Sequence, residues 1–183
     1  MNKINDDPRD FLPANIAVIT VSDTRTPETD KSGQTLADRV TAAGHRLVHR
    51  AIVRDEIDDI RNLVRTLTKR ADVDVVISTG GTGLTGRDVT VEALRPLFDK
   101  EIEGFGVVFH MISFQKIHTS TVQSRATAGV MDGKYVFCLP GSPGACKDAW
   151  DEILVHQLDY RHHPCNFIEI MPRLDEHLKR TKG

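Results

Sequence analysis

Short apolar runs suited to buried strands alternate along this chain with stretches that carry the period of an amphipathic helix, and that alternation restricts the fold more than any single motif. Ala14–Val21 (ANIAVITV) is β-branched, follows Pro13 and stops at Ser22-Asp23, so it reads as a buried strand. From Ser32 onward, Leu36, Val40 and Ala43 fall on one helical face, and Gly44 supplies the left-handed-tolerant residue with which helices commonly end. Leu47–Val53 reads as a second strand. Ile57, Ile60, Val64 and Leu67 recur at i, i+3, i+7 and i+10, which gives an amphipathic helix with a charged outer face. Val73–Ser78 is a third strand that runs into the glycine cluster Thr79-Gly80-Gly81-Thr82-Gly83-Leu84-Thr85-Gly86, and a further helical segment begins near Asp88.

Between Phe105 and Ile117 the pattern changes. Phe105, Val108, Phe109 and Ile112 form one stripe while Val107, Met111 and Phe114 occupy other faces, so this helix is apolar nearly all round and predicts burial on more than one side, in part against another subunit. Tyr135–Leu139 (YVFCL) is another buried strand ending at Pro140-Gly141, and Ser142-Pro143 has the form of an N-cap followed by proline at the first helical position. The last clear helix carries Cys146, Ala149, Trp150, Ile153 and Leu154 on one face. The order β-α-β-α-β predicts a three-layer α/β/α sandwich with a mostly parallel, Rossmann-like sheet. Residues 14–170 are expected to form a single domain, between a flexible N-terminal segment (1–13) and a flexible tail (171–183).

Bulk charge removes other classes. The 183 residues include 24 Lys and Arg against 26 Asp and Glu, a net charge of -2. A nucleic-acid-binding domain usually carries a clustered basic excess, because phosphate neutralisation supplies most of its affinity, so nucleic acid is not an expected partner. With 39% hydrophobic and 27% charged residues the composition is that of a soluble globular protein. No run approaches the roughly 18 apolar residues of a membrane span. The opening MNKINDDPRD is acidic and polar where a signal peptide is basic then apolar, so a cytoplasmic protein with no membrane partner is expected. Cys138, Cys146 and Cys165 make neither a CxxC pair nor an even framework, and read as free thiols.

In open parallel sheets, ligands bind beyond the carboxyl ends of the strands. Ser22-Asp23 follows the first strand, Arg54-Asp55-Glu56 the second, the glycine cluster with Arg87-Asp88 the third, and Pro140-Gly141-Ser142 a later one, and these loops are expected to share one crevice. Each has a plainer alternative: Ser22 or Asp23 capping a turn, Asp55 opening the next helix, Ser142 serving only as an N-cap. The glycine cluster is harder to explain as punctuation, because Gly80, Gly81, Gly83 and Gly86 leave a long backbone surface without side chains, open to a bulky ligand. Backbone amides and the following helix N-terminus favour phosphate there. A carboxylate at such a place repels phosphate unless a divalent cation lies between them, so Asp88, with Asp55, suggests a Mg2+ site completed by substrate phosphates. The alternative is that Asp88 N-caps its helix.

Four other chemistries fit less well. Gly81, Gly83 and Gly86 satisfy G-x-G-x-x-G, but that dinucleotide fingerprint belongs to the first βα turn and needs an acidic residue about 20 positions on, which argues against a nucleotide-dependent oxidoreductase. A P-loop has Gly-Lys-Ser or Gly-Lys-Thr where this chain has Gly86-Arg87-Asp88. The loop Pro140–Gly144 sets Ser142 at the spacing of a nucleophile elbow, which makes a hydrolase the nearest competitor, but Pro143 removes the N–H that an oxyanion hole takes from that position. His162 and His163, close to Cys165, match no paired zinc-ligand pattern and read as surface histidines.

The segments SDTRTPETDKSGQ (Ser22 to Gln34), STGGTGLTGRDVTVEAL (Ser78 to Leu94), EIEGFGVVFHMIS (Glu101 to Ser113), SRATAGV (Ser124 to Val130) and LPGSPGACKDAW (Leu139 to Trp150) together resemble the MoaB/MogA family of molybdenum cofactor biosynthesis proteins. The likeness runs from about Ile16 to Phe167, and the Ser22–Gly33 loop and the Pro164–Phe167 ending resemble the MoaB branch. The resemblance implies a compact α/β domain that binds molybdopterin and, in the active members, adenylylates it with ATP and magnesium, releasing pyrophosphate. It also implies other cofactor-biosynthesis proteins as partners and an assembly built on homotrimers, as a trimer or a hexamer. Asp55 (in VRDE) and Asp88 (in GRDVT) match the aspartates that family members need for the pterin-phosphate and magnesium chemistry, so they are the expected catalytic and metal-holding residues. Thr79, Gly80, Gly81, Thr82 and Gly83 match the segment that cradles the phosphate end, and Ser142 lines the same pocket; Ser22 and Asp23 complete the expected ligand-binding set. A molybdopterin-binding protein without turnover is the alternative implied by the same likeness.

Overall fold

The strand Asn15–Val21 (β1) divides its side chains by parity: Ile16 and Val18 enter one core, and Ala17, Ile19 and Val21 enter another. A strand covered on both faces has no polar alternation, which is why residues 16–19 run apolar without a break. The computed structural model describes residues 9–176. After β1 come Lys31–Ala42 (α1), Arg46–Val53 (β2), Ile57–Thr68 (α2), Val75–Thr79 (β3), Thr90–Leu94 (α3), Lys100–Glu101 (β4), Glu103–Ile117 (α4), Thr127–Met131 (β5) and Lys134–Leu139 (β6). Pro143–Ala149 (α5) then passes through a π-helical turn, Trp150–Leu154, into Val155–Gln157 (α6), and Phe167–Ile170 (α7) follows.

The strands form one six-stranded sheet in the order β2-β1-β3-β6-β5-β4. β2, β1, β3 and β6 are mutually parallel, while β5 and β4 run antiparallel beside β6. On one face α1 (Leu36, Val40), α4 (Phe105, Phe109) and the α5 region (Trp150, Leu154) cover the sheet; on the other, α2 (Ile60, Val64, Leu67) and α3 (Leu94) do so. The chain is therefore a three-layer α/β/α sandwich. Right-handed crossovers account for the split: β2 lies to one side of β1 and β3 to the other, so the helix of each crossover falls on the opposite face.

The helix end expected at Gly44 is present. Gly44 has φ 87°, its N–H donates to Thr41 O and His45 N–H to Val40 O, the paired bonds of a left-handed helix stop. The hairpin β5–β6 was not anticipated, because Thr-Ala-Gly-Val-Met carries weak strand propensity. Its signal lay in the turn: Asp132 (φ 52°) and Gly133 (φ 72°) form the two-residue Asp-Gly connection that suits the twist of a hairpin. The helical segment expected near Asp88 starts instead at Thr90 and is five residues long.

Of the terminal segments 1–13 and 171–183, residues 9–13 and 171–176 are described and the rest lie outside the described residues. The Arg9 guanidinium stands 4.7 Å from the Tyr160 ring centroid, Phe11 lies 5.1 Å from the His45 ring, and Met171–Arg173 forms a 3-10 turn. Cys138 and Cys146 are buried and Cys165 exposed, all three as free thiols. Among the described residues no helix is long and apolar enough to cross a membrane.

Two glycines test this packing in opposite directions. A Cβ on Gly129 would fall 2.2 Å from Cγ of Phe98, so Gly129→Ala is expected to cost about 1–3 kcal/mol. Nothing lies within 4 Å of a Cβ on Gly144, inside α5, so Gly144→Ala is expected to stabilise by about 0.5–1 kcal/mol. Urea midpoints of the two variants check both.

Candidate functional site

The carboxyl ends of β2, β1, β3 and β6 stand side by side at one edge of the sheet. Register keeps them level: Thr20 pairs with Thr79, and Thr79 with Leu139. The chain reverses its direction of travel between β1 and β3, which makes that edge a topological switch point, where open α/β sheets bind ligands. The loops touch as expected. Asp55 N–H donates to Asp23 Oδ1 at 3.2 Å, Gly80 N–H donates to Leu139 O at 3.0 Å, and a Cβ on Gly141 would fall 3.2 Å from Gly80 Cα.

Several expected site residues turn out to build the crevice's frame. Ser22 Oγ accepts from the amides of Thr24 and Arg25, both at 3.2 Å, and closes a turn. Ser142 Oγ accepts from Ala145 N–H at 3.1 Å as the N-cap of α5. Thr79 is fully buried, and its hydroxyl donates to Pro140 O at 2.9 Å, tying the β3 end to the β6 loop. Gly80's amide is taken up by Leu139, so it is not available to a phosphate, whereas the amides of Gly81 and Thr82 donate to no other described residue.

The glycines are also explained differently. A Cβ on Gly80 would lie 2.3 Å from Val21 O, on Gly81 2.3 Å from Thr90 Oγ1, and on Gly83 2.8 Å from Asp88 Oδ2. At these three positions the protein itself occupies the space, and Gly86 alone of the four is open. The short α3 also removes the expected helix N-terminus as a source of field: its N-cap is Val89, without a side-chain cap.

The aspartates divide by role. Asp88 does not cap α3; its Oδ2 accepts from Thr85 N–H (2.9 Å) and Thr85 Oγ1 (2.6 Å), closing the glycine loop on itself. Burial would raise its pKa, but the Thr85 hydroxyl and amide, the Gly83 amide and Arg125 outweigh it and hold the carboxyl below its ordinary value. Asp23, exposed, is lowered chiefly by its hydrogen bonds from Arg87. Asp55 goes the other way. It is half-buried, it caps nothing at the start of α2, and among the described residues its carboxylate takes a backbone N–H from Asp23 but no side-chain donor. Burial first, then the charges of Asp23 and Asp88, push its pKa up and outweigh the Asp23 backbone N–H and the Arg87 charge. A half-buried carboxylate short of donors, 3.3 Å from where a Gly81 Cβ would stand, is the arrangement that accepts a cation. Among the described residues no group of three or more His, Cys, Asp or Glu is placed to hold a metal, so any cation here is completed by ligand oxygens and water.

Two arginines were not singled out from sequence. Arg87 donates through Nη2 and Nε to Asp23 Oδ2 (2.6 and 3.2 Å) and through Nη1 to Glu56 (3.2 Å), joining the β3 loop to the β1 and β2 loops. Arg125 donates to Gly83 O (2.8 Å) and Asp88 O (3.0 Å) and pairs with Glu92, so it clamps the far side of the glycine loop. Only the SRATAGV segment as a whole pointed toward Arg125; a contact across 42 positions leaves no local pattern. Behind it opens a cleft of about 850 Å³ lined by Val91, Glu92, Arg95, Glu101, Arg125 and Thr127, which none of the expected site residues enters.

Residues 17–160 match the family described as "Probable molybdopterin binding domain". The chain is 51% identical over 158 residues to molybdenum cofactor biosynthesis protein B of Escherichia coli K12, covering 86% of this chain and 93% of that protein. The chain belongs to the MoaB/MogA family. A crystal structure of a molybdenum cofactor biosynthesis protein B matches with TM-score 0.79 at 39% identity, over 94% of this chain and 99% of the other. The tungsten cofactor synthesizing protein MoaB of Pyrococcus furiosus matches with TM-score 0.69 at 32% identity, over 93% and 98%. The three-layer sheet is thus the MoaB/MogA fold, and the chain is a molybdenum cofactor biosynthesis protein.

Asp55 yields a stability prediction. A carboxyl whose pKa is raised in the fold is less stable ionised there than in the unfolded chain, so stability falls as pH rises from the ordinary aspartate range through the raised value, and stays lower above it. Asp55→Asn is expected to raise Tm by about 1–3 °C at neutral pH and by nothing in acid below that window. Thermal scans across pH check the difference.

Proposed function

We propose that this chain binds molybdopterin in the crevice at the β1/β3 switch point and adenylylates it with ATP. The observation that carries the reading is Asp55: an ionisable group left half-buried without a side-chain donor, beside Asp23 and Asp88, is costly to the fold. The family membership and the match of VRDE and GRDVT support it.

In this reading an oxygen of the molybdopterin terminal phosphate attacks the α-phosphorus of ATP in line, a new P–O–P bond forms, and the bond to the leaving β-phosphate breaks, so that pyrophosphate departs. No covalent enzyme intermediate is required, and the protein's part is positioning and charge neutralisation. Asp55 and Asp88 would hold magnesium, which when bound neutralises phosphate charge. The Gly81 and Thr82 amides, which donate to no other described residue, would supply N–H groups to the phosphates. Arg125 fixes the loop through its carbonyls, and Thr85 fixes the Asp88 carboxylate.

The test is to incubate purified protein with molybdopterin, ATP and magnesium and to follow adenylylated product by mass. Wild type is expected to form product, and Asp88→Asn to lose at least about a hundredfold in rate. Equal product from Asp88→Asn defeats the metal role; no product from wild type that still binds molybdopterin leaves a binding protein without turnover.

We also propose that the chain works as a homo-oligomer packed through α4. Phe105 and Phe109 bury one side of this helix against the sheet, while Val107, Met111, Phe114 and Ile117 remain 51–62% exposed on the others. A surface this apolar is costly to leave in water, and a second copy covers it without a polar partner's desolvation. Sedimentation at micromolar concentration is expected to give a trimer or a multiple of it, and Met111→Asp with Phe114→Asp to give monomer. A monomeric wild type overturns this.

A further inference from the structure

The crevice proposed above for a phosphate ligand is walled by Asp23, Asp55, Glu56 and Asp88, and the guanidinium that stands among them is that of Arg87. Neighbouring cations are engaged elsewhere: Arg125 holds Gly83 O, Asp88 O and Glu92, and Arg54 turns to Asp59 at 2.9 Å. Arg87 keeps 59% of its side chain exposed although it donates to two carboxylates, which are themselves 39% and 54% exposed. Ion pairs this exposed contribute little and exchange readily, whereas a guanidinium presents a planar fork that matches a phosphate with two parallel hydrogen bonds.

We propose that Arg87 is the exchangeable counter-ion of the crevice: without ligand it neutralises Asp23 and Glu56, and a phosphate ligand draws its guanidinium away from them, leaving the Asp23 carboxylate free beside Asp55. Arg87 is then the ligand's cationic anchor and at the same time the competitor that keeps a bare divalent cation out of the carboxylates. The inference rests on the crevice being a phosphate site, but not on adenylyl transfer occurring there.

Two probes separate the roles. Inorganic tripolyphosphate in the presence of a chelator reads anion binding by calorimetry, and Mn2+ alone reads the carboxylates by electron paramagnetic resonance. Arg87→Met is expected to weaken tripolyphosphate by about tenfold or more and to tighten Mn2+ by about threefold. Asp23→Asn is expected to tighten tripolyphosphate, and most of that gain to vanish in the double variant, because the released guanidinium produces it. Arg87→Lys, which keeps the charge without the fork, recovers part of the anion affinity. Should Arg87→Met fail to fold, Arg87→Lys takes its place: weaker tripolyphosphate binding than wild type and a smaller Asp23→Asn gain in its own double variant are expected, and finding neither overturns the proposal.

Tripolyphosphate affinity within twofold of wild type in Arg87→Met, weaker Mn2+ binding in that variant, an undiminished Asp23→Asn gain in the double variant, or no tripolyphosphate binding by wild type would each overturn the proposal. Weakened tripolyphosphate with no adenylylated product defeats the enzymatic reading and leaves the role of Arg87 standing. Product from both proteins with anion binding unchanged does the reverse.

Discussion

A Cβ on Gly80 would stand 2.3 Å from the carbonyl oxygen of Val21, and neither atom belongs to a side chain that can swing aside. This backbone-on-backbone approach brings the ends of β1 and β3 together at the switch point. It is reinforced from the other side, where Gly80 N–H bonds Leu139 O and Gly141 lies against Gly80 Cα. The rest of the site hangs from that contact. With Gly80 in place, Thr90 Oγ1 reaches Gly80 O at 2.8 Å and its N–H reaches Gly81 O at 2.9 Å, which anchors α3 and sets the path of the intervening loop. The glycines here are demanded by the protein's own packing, and the surface they leave is a consequence.

Charge is arranged against the grain of stability. Asp23 and Asp88 have side-chain donors that hold them ionised, while at Asp55 burial and two like charges outweigh one backbone N–H and the Arg87 charge. A protein with a net charge of -2 offers a polyanion no attractive field, and these carboxylates make the local field worse. The arrangement becomes favourable only when positive charge arrives with the ligand or is released from an internal pair, and Arg87 is the internal source at hand.

The layers were legible because both faces of the sheet are covered. Continuous apolar strands and helices with one apolar stripe, such as Ile57–Thr68, leave a periodicity that survives in sequence. The crevice was legible as a set of loops for the same reason, since strand ends follow from strands. What each loop residue does was not. Ser22, Thr79 and Ser142 are polar residues at strand ends, and only the fold shows that their oxygens are taken up in turns and caps while the Asp55 carboxylate has no side-chain donor. Composition cannot separate a cap from a ligand, because both use the same side-chain oxygens.

The antiparallel edge shows how a missed element hides a site residue. Thr127–Met131 is held in the sheet by its pairing with β6 through the Asp132-Gly133 turn and by β4, and its own residues do little to announce it. Yet Arg125 lies two residues before that strand, so the hairpin register places its guanidinium under Gly83 and Asp88. The position of the glycine loop is thus set by β1 on one side, through Gly80, and by β5 on the other, through Arg125. A loop pinned at both margins would lose little conformational entropy on taking a phosphate at its free amides, which is the preorganisation that the proposed function asks of a short glycine segment without a long helix behind it.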